Sequence, residues 1–142
     1  LAERHNPETH LIPNILRASE SAPVKIFGTD WPTTDGTCIR DYIHVGDLAD
    51  AHLVALEKAS NEYINEVYNV GSGTGYSVKE MMEQMARSMN LTFKPVVSDR
   101  RPGDSPQLIS SIKKIEQELG WKPKATLKEM IDSSWIAEQA NR

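Results

Sequence analysis

Arg40 is the residue whose type and setting most favour ligand chemistry in this chain. It stands in a β-rich run, residues 37–45, whose alternation places Arg40 and Tyr42 on one face of a strand. A guanidinium stays charged at any working pH, and its planar N–H donors match the geometry of phosphate. Such a charge-assisted hydrogen bond contributes roughly 1.5–3 kcal/mol, whereas a surface salt bridge to Asp41 or Asp47 would contribute little. The run therefore predicts a face that can bind a phosphate-bearing ligand.

A second group of charges lies in a Pro/Gly turn with the sequence Arg100-Arg101-Pro102-Gly103-Asp104. Two arginines in such a turn are most often solvated surface charge. The alternative is a binding site, because an arginine can oppose a phosphate and a carboxylate can accept hydrogen bonds from two vicinal hydroxyls. The residue types alone leave both interpretations open.

Other reactive side chains give no comparable indication. Cys38 is the only cysteine and lies in a β-rich run, so a small packed hydrophobe is a better interpretation than a nucleophile. His44 and His52 are eight residues apart with no cysteine motif beside them, which is weak evidence for zinc. We therefore predict no catalytic residue and no metal site within this chain.

A Gly-rich loop, residues 71–76, separates a predicted strand at 66–70 from a helix that begins with the capping box Ser77–Glu80. Strand, glycine loop and helix in this order are typical of a dinucleotide site. The fingerprint requires G-x-G-x-x-G and an acidic residue about 20 residues further on. Here the glycines follow G-x-G-x-G, and Asp99 lies too far along the chain. The loop is therefore not predicted to bind NAD.

The elements that must position these residues alternate between strands and helices. Val24–Phe27 predicts a strand that ends at Gly28, and a turn-rich loop follows it. Residues 91–97 predict an edge strand because they contain Pro95. Apolar residues at helical spacing predict further helices, with Asp47 as the N-cap of the second. These predicted helices cover residues 11–21, 47–60, 78–89 and 111–119, and a last one starts at 127.

Composition excludes several classes of protein. A chain of 142 residues allows one domain with a real core. Its net charge of −4 gives no electrostatic reason to expect nucleic acid or an anionic membrane, and no run of 18 apolar residues suggests a membrane span. A lone cysteine cannot form an internal disulfide, which favours a cytoplasmic protein. Because the first residue is Leu1 rather than methionine, we expect a fragment.

Five blocks of this sequence resemble the UDP-glucose (UDP-galactose) 4-epimerase family. These epimerases are extended short-chain dehydrogenase/reductases that interconvert UDP-glucose and UDP-galactose. The blocks are His5–Pro13 (HNPETHLIP), Ile26–His52 (with DWPTTDGTCIRDYIHV), Tyr68–Val78 (YNVGSGTGYSV), Arg100–Asp104 (RRPGD) and Leu119–Trp121 (LGW). Their order runs along the whole chain, and relatives that act on other nucleotide sugars usually lack the long insertion before RDYIHV. The resemblance is therefore specific.

The resemblance implies a UDP-sugar site and assigns residues to it. Arg40 and Arg101 would hold the diphosphate from two different elements. Asp104 would bind the ribose hydroxyls, and Phe27 would lie against the uracil ring beside backbone groups of the preceding residues. The other residues that it brings to the substrate are His10, Leu11, Lys25, Ile26, Tyr42, Val78 and Leu108.

Substrate choice is left open by Leu108. It matches a position that borders the sugar, where relatives commonly carry tyrosine, so the chain could serve an epimerase of another UDP-sugar such as UDP-N-acetylglucosamine. An alternative from a different class is a non-catalytic UDP-sugar-binding module. An NAD loop and a Tyr-x-x-x-Lys pair upstream would exclude that module.

The family's reaction passes a hydride from sugar C4 to NAD and back, and it requires an NAD loop and a Tyr-x-x-x-Lys pair. No tyrosine in this chain is followed by lysine four residues later. We therefore expect residues 1–142 to be the UDP-sugar-binding C-terminal portion of an α/β extended short-chain dehydrogenase, inactive alone. NAD would be bound mainly by an absent N-terminal Rossmann portion.

The resemblance also predicts exposed apolar surface. In the family, helix 47–60 and strand 66–70 normally complete the Rossmann sheet of the NAD-binding portion. Without that portion these elements would expose apolar faces. We therefore expect either association or stabilisation by a missing partner segment.

Overall fold

The structure is a computed structural model that describes residues 7–19, 21–63, 65–90, 92 and 94–140. Its elements are five short strands and five helices in the described residues. In order they are α1 (Leu11–Leu16), β1 (Lys25–Phe27), β2 (Ile39–Asp41), α2 (Val45–Asn61), β3 (Gly75–Ser77), α3 (Val78–Met89), β4 (Val96–Ser98), β5 (Gln107–Leu108), α4 (Lys113–Leu119) and α5 (Leu127–Gln139).

Two small sheets form the framework. In the first, β1 lies parallel to β4, and the backbone N–H of Gly28 extends the pairing by donating to Ser98 O at 2.9 Å. In the second, β2 is the central strand between antiparallel β3 and parallel β5. Arg40 occupies the middle of β2, opposite Tyr76 on β3 and Leu108 on β5. The candidate cation therefore sits on a strand that is held along both edges.

Asp41, the last residue of β2, ties three segments together. Its Oδ1 accepts hydrogen bonds from the backbone N–H and the hydroxyl of Ser72, at 2.8 and 2.5 Å. Its Oδ2 accepts the backbone N–H groups of Gly73 and Ser110, at 3.2 and 3.1 Å. At Gly71 there is no room for a side chain, since a Cβ would lie 2.4 Å from Asp41 Oδ2. One carboxylate thus fixes the Gly-rich loop against the segment after β5.

The larger core lies where α1, α3 and α5 pack together over β1. The methionines of α3 fill its centre, and flexible thioether side chains suit the irregular gaps between three helices and a strand. The helix starts at Ser77 with the capping box predicted from the sequence. The buried members of this core are Ile15, Leu16, Val24, Ile26, Met81, Met82, Met85 and Ile131.

A smaller core joins α2 to α4. Its buried members are Ala51, Ile115 and Trp121. Gly120 ends α4 in the left-handed conformation, with φ of 66°, which turns the chain so that Trp121 packs inward. The C-terminal stop predicted for this helix is confirmed.

The start of α2 differs from the sequence prediction. His44, not Asp47, is the N-cap, because its Nδ1 accepts the backbone N–H of Gly46 at 3.0 Å. Asp47 is buried instead, and its Oδ2 accepts the backbone N–H of Ala125 at 2.9 Å. An Asp near a helix start can cap the helix or accept a hydrogen bond from another segment. Here the position of Ala125 decides between these two roles.

Other predicted elements also differ from those observed. Residues 66–70 are not a strand, because no neighbouring strand in the described part of the chain pairs with them. Residues 75–76, predicted as loop, belong to β3 because β2 pairs with them. The edge strand predicted at 91–97 is shorter as β4, and residues 91 and 93 of that prediction lie outside the described residues.

The outer face of α2 is apolar and exposed, as expected from the resemblance. Leu53 and Leu56 are 64% and 63% exposed, and Val45 on the same face is 72% exposed. Further along the chain, Tyr63 and Val67 are more exposed still, at 92% and 83%. A folded chain seldom leaves several large apolar side chains together in water, so this face has the character of an interface.

Replacing Asp41 by asparagine is expected to lower the free energy of unfolding by about 2 kcal/mol. The amide would lose the charge and turn an N–H₂ donor towards N–H donors, which leaves partly buried donors of Ser72 and Ser110 without an acceptor. Urea unfolding followed by circular dichroism would measure the change. The control is Asp132→Asn, which removes a surface partner of Lys128 on α5 and should change stability by less than about 0.5 kcal/mol. Equal effects in the two variants would contradict the role given to Asp41.

Candidate functional site

A cavity of about 730 Å³ lies between the start of α1, the end of β1, β2 and the loop at residues 101–104. Segments far apart in sequence meet there, and together they supply apolar surface, cations and a carboxylate. Of the predicted contact residues, its lining includes His10, Leu11, Lys25, Ile26, Phe27, Arg40, Tyr42, Val78, Arg101 and Asp104.

Arg40 reaches this cavity from the centre of β2, and its side chain is 25% exposed. Its Nη1 donates to the carbonyl oxygens of Ile39 and Ser105, at 2.9 and 2.8 Å. Its Nη2 donates to Asp104 Oδ1 at 3.2 Å. The partners considered from sequence, Asp41 and Asp47, are engaged elsewhere. The guanidinium is therefore oriented by the 101–105 segment and keeps its charge at the cavity wall.

Arg101 lies over the ring of Phe27, with 4.1 Å from its Cζ to the ring centroid. The face of an aromatic ring attracts a cation, so this arrangement is favourable by itself. Arg101 Nε also lies 3.6 Å from Asp104 Oδ2. The side chain predicted to bind diphosphate thus covers the ring predicted to meet a base.

Asp104 links the two arginines, since each of its carboxylate oxygens lies near a different guanidinium. Its backbone N–H donates to Arg101 O at 3.2 Å, which closes the turn. The sequence analysis placed Arg101 and Asp104 in one turn and Arg40 on a separate strand, and no sequence pattern indicated that Asp104 contacts Arg40. The carboxylate balances part of the positive charge that would otherwise face the cavity.

Tyr42 and Val78 form the apolar wall near Arg40. Burial raises the pKa of Tyr42 to about 12, and the nearby charge of Arg40 offsets only part of this effect. The phenol therefore stays protonated at any working pH and cannot act as a base. Val78 starts α3, and its backbone N–H donates to Cys38 O at 3.0 Å. Cys38 is buried at the same wall, as the packing interpretation predicted.

The opposite end of the cavity contains a residue that sequence reasoning missed. Glu8 Oε1 accepts the backbone N–H groups of Thr9 and His10, each at 2.9 Å, and lies 3.0 Å from His10 Nδ1. The backbone hydrogen bond from His10 lowers the pKa of Glu8, against the opposing effect of burial. Arg17 Nη1 lies 3.5 Å from Glu8 Oε2. The Glu-x-His spacing before a helix was the available signal for this cluster.

Leu108 is the predicted residue that the structure does not bring to the cavity lining. It lies on β5, and it is 64% exposed. Its predicted contact with the sugar remains a prediction.

Asp35 fixes the turn-rich loop against the start of α3. Its Oδ1 accepts the backbone N–H and hydroxyl of Thr37, at 2.8 and 2.7 Å, and its Oδ2 accepts the hydroxyl of Ser77. Burial raises the pKa of Asp35, but the hydrogen bonds from Ser77 and Thr37 outweigh it, and the pKa lies below its ordinary value. The loop therefore enters β2 in a defined path, which contributes to placing Arg40.

The Gly-rich loop does not suit a dinucleotide phosphate. The backbone N–H groups of Ser72 and Gly73, which such a loop would offer to phosphate, both donate to Asp41. A carboxylate beside them would repel the ligand. The structure thus agrees with the sequence argument against NAD at this loop.

Other kinds of site can be addressed only for the described residues. Among them, no group of three or more His, Cys, Asp or Glu side chains is placed to hold a metal ion. None of the helices in that part of the chain is both long and apolar enough to cross a bilayer.

Comparison with known proteins shows which proteins this chain is similar to. A family model described as the NAD dependent epimerase/dehydratase family matches residues 2–71. A UDP-glucose 4-epimerase of Corynebacterium glutamicum is 45% identical over 144 residues, which cover 99% of this chain and 43% of that protein. A UDP-glucose 4-epimerase of Halalkalibacterium halodurans is 41% identical, and the match covers 95% of this chain and 41% of that protein. Nearly the whole chain is therefore similar to a part of these epimerases.

Solved structures of family members agree with the fold. The UDP-glucose 4-epimerase of Stenotrophomonas maltophila, solved with NAD and formylated UDP-arabinopyranose, superposes with a TM-score of 0.92 at 32% identity. This match covers 98% of the chain and 42% of that protein. The UDP-glucose 4-epimerase of Brucella ovis, solved with NAD, gives a TM-score of 0.88 at 36% identity. This match covers 96% of the chain and 43% of that protein. The predicted class, an α/β part of an extended short-chain dehydrogenase/reductase, is confirmed.

The chain spans less than half the length of these relatives, about 42%. It corresponds to their C-terminal part, as the order of sequence blocks indicated.

Proposed function

We propose that this chain is the UDP-sugar-binding part of an NAD-dependent enzyme that interconverts UDP-glucose and UDP-galactose at sugar C4. The observation that carries the proposal is the pair Arg40 and Arg101, which face one cavity from two elements and share Asp104. The identity of 41–45% to UDP-glucose 4-epimerases over nearly the whole chain supports it.

The diphosphate would bind between Arg40 and Arg101. Both guanidiniums already lie at the cavity, and a diphosphate offers more acceptor oxygens and more charge than one carboxylate. It would therefore compete with Asp104 for them. Asp104, once released, could accept hydrogen bonds from the two ribose hydroxyls, because an ionised carboxylate is an acceptor only.

The uracil would lie near Phe27, at the end of β1. In the described part of the chain β1 pairs along one edge with β4. Val24 O and Gly28 N bond to that strand. By strand alternation the backbone groups of Lys25 and the N–H of Phe27 face the other edge, where a base would reach them, whereas Phe27 O accepts a hydrogen bond from Trp31 Nε1. Binding of the base requires Arg101 to leave the Phe27 ring and turn to the diphosphate.

Hydride transfer would depend on the rest of the protein. NAD, when bound there, accepts and returns the hydride at sugar C4, whereas this chain holds and orients the UDP group. Residues 1–142 would thus form the UDP-sugar-binding C-terminal portion, with a partner N-terminal Rossmann portion against the apolar face of α2. The same proposal places the protein in the cytoplasm and in galactose metabolism.

The alternatives have less support. A relative from Campylobacter jejuni, 39% identical, is described as a UDP-Glc/GlcNAc 4-epimerase, so N-acetylated substrates occur among similar proteins. Leu108, however, lies outside the cavity lining and favours neither sugar. A binding module without catalysis is not favoured by relatives that are themselves epimerases.

Replacing Arg40 or Arg101 by alanine is expected to raise the dissociation constant for UDP at least about tenfold. Each change removes a charge-assisted hydrogen bond to the diphosphate. Calorimetric titration of the 142-residue chain with UDP would measure it. Arg87→Ala is the matched control, since it removes the same charge from an exposed position on α3. Unchanged affinity in both test variants would contradict the diphosphate site. No binding by the folded wild type would contradict UDP binding by this chain alone.

Replacing Asp104 by alanine is expected to change the affinity for UDP and the affinity for inorganic pyrophosphate differently. Inorganic pyrophosphate should bind several-fold more tightly, because the carboxylate no longer competes for the arginines. The affinity for UDP should rise by a smaller factor or fall, because the acceptor for its ribose hydroxyls is lost. Paired titrations would give the ratio of UDP to pyrophosphate affinity, which should fall roughly tenfold. A ratio equal to that of wild type would contradict ribose binding by Asp104.

Replacing Leu53 or Leu56 by aspartate is expected to reduce self-association of the 142-residue chain without lowering its melting temperature. Both side chains are exposed, so a charge there opposes intermolecular contact and leaves the cores intact. Sedimentation velocity over a range of concentrations would measure association. Gln84→Asp, at an exposed position of α3, is the control for added charge. A wild-type chain that stays monomeric throughout would contradict an adhesive face.

A further inference from the structure

We propose that Arg100 is a positioning residue that holds the loop at residues 101–104 so that Arg101 and Asp104 face the cavity. The inference deepens the proposed function and rests on it for the ligand. Arg100 itself does not line that cavity, whereas Arg101 and Asp104 do. It lines a separate, smaller cavity beside the ends of β1 and β4.

Arg100 is attached to the turn-rich loop by three contacts. Its Cζ lies 4.0 Å from the centroid of the Trp31 ring. Its Nε donates to Asp30 Oδ1 at 2.8 Å, and its Nη2 donates to Asp30 O at 2.6 Å. Stacking on an indole together with two directed hydrogen bonds uses the planar shape of the guanidinium, which lysine cannot reproduce.

Trp31 is a rigid support for this contact. It is 8% exposed, and its Nε1 donates to Phe27 O at 3.0 Å. Its backbone N–H donates to Gly36 O, also at 3.0 Å. The indole is thereby fixed to the end of β1 and to the turn-rich loop, so a guanidinium stacked on it is fixed to both.

Gly28 makes room for the arrangement. Its φ is +81°, and a Cβ there would lie 2.6 Å from Arg100 Cγ and 2.6 Å from Trp31 Nε1. The aliphatic stem of Arg100 therefore runs close to the backbone at the end of β1. Absence of a side chain at Gly28 is a condition for this packing as well as for the backbone conformation.

Two arginine–aromatic contacts lie next to each other. Arg100 stacks on Trp31 in the turn-rich loop, and Arg101 stacks on Phe27 at the end of β1. Because the two arginines are adjacent in sequence, fixing the first restricts where the second can reach. The turn then closes through Asp104 N–H on Arg101 O. A preorganised loop loses less conformational freedom on binding a ligand, which raises affinity without a direct contact.

The contacts of Arg100 are too exposed to matter much for overall stability. Its side chain is 41% exposed and that of Asp30 is 75% exposed. Exposed ion pairs of this kind contribute little to folding. The effect of Arg100 is therefore expected on the order of the loop and on ligand affinity, and not on the melting temperature.

A double-mutant cycle tests the proposal. Calorimetric titrations with UDP would compare wild type, Arg100→Ala, Arg101→Ala and the double variant of the 142-residue chain. Arg100→Ala should weaken binding roughly tenfold in the wild-type background and less than about twofold in the Arg101→Ala background, because it acts through Arg101. Arg100→Lys should weaken binding almost as much as Arg100→Ala. Arg87→Ala is the charge control and should leave affinity unchanged.

Hydrogen exchange provides a second test of the proposal that needs no ligand. The amide of Asp104 should exchange several-fold faster in Arg100→Ala, while amides of α3 and the melting temperature stay as in wild type. Additive effects in the cycle, or recovery of affinity in Arg100→Lys, would show direct or purely electrostatic action and overturn the proposal. Unchanged exchange at Asp104 would also overturn it. Failure of the wild type to bind UDP would instead count against the proposed function, and the exchange result would still decide the role of Arg100.

Discussion

The carboxylate of Asp41 is the constraint on which the arrangement of this molecule depends. It accepts hydrogen bonds from two residues of the Gly-rich loop and from Ser110 after β5. Successive side chains of a strand point to opposite faces, so fixing Asp41 on one face of β2 also fixes Arg40 on the other. The position of Arg40 at the cavity wall is therefore set by a partly buried polar network whose residues are not part of the cavity lining.

Within the cavity, charge balance explains the observed contacts. Two guanidiniums at a partly buried wall would repel each other, and Asp104 between them reduces that repulsion. Phe27 offers Arg101 a second favourable surface. A diphosphate could replace these partners one for one, so binding exchanges internal contacts for stronger external ones. Affinity would then depend on the difference in free energy between the internal contacts and the contacts with the diphosphate. Because the internal contacts can form again, the ligand can be released.

Local features of the fold could be predicted from sequence, and long-range contacts could not. The capping box at Ser77 and the stop at Gly120 depend on residues a few positions apart. Alternation predicted an extended run over residues 37–45, of which Ile39–Asp41 around Arg40 is a strand, but alternation carries no information about which residue will lie opposite. The contact between Asp104 and Arg40 joins segments more than 60 residues apart, and no local pattern specifies it. The N-cap at His44 and the missing strand at 66–70 were mispredicted for the same reason.

The cavity and the apolar face of α2 differ in whether this chain supplies the groups that belong against them. Within the described residues the cavity has its cations, its counter-charge and its apolar wall together. The exposed leucines of α2, in contrast, have no apolar cover there. Burying two such side chains would contribute about 1.5–3 kcal/mol each, which is a large share of the stability of a small domain. Under the proposed function, ligand recognition and full stability would therefore be separable. Recognition would depend on Arg40 of β2 and on the loop that carries Arg101, and full stability would require a surface that covers α2.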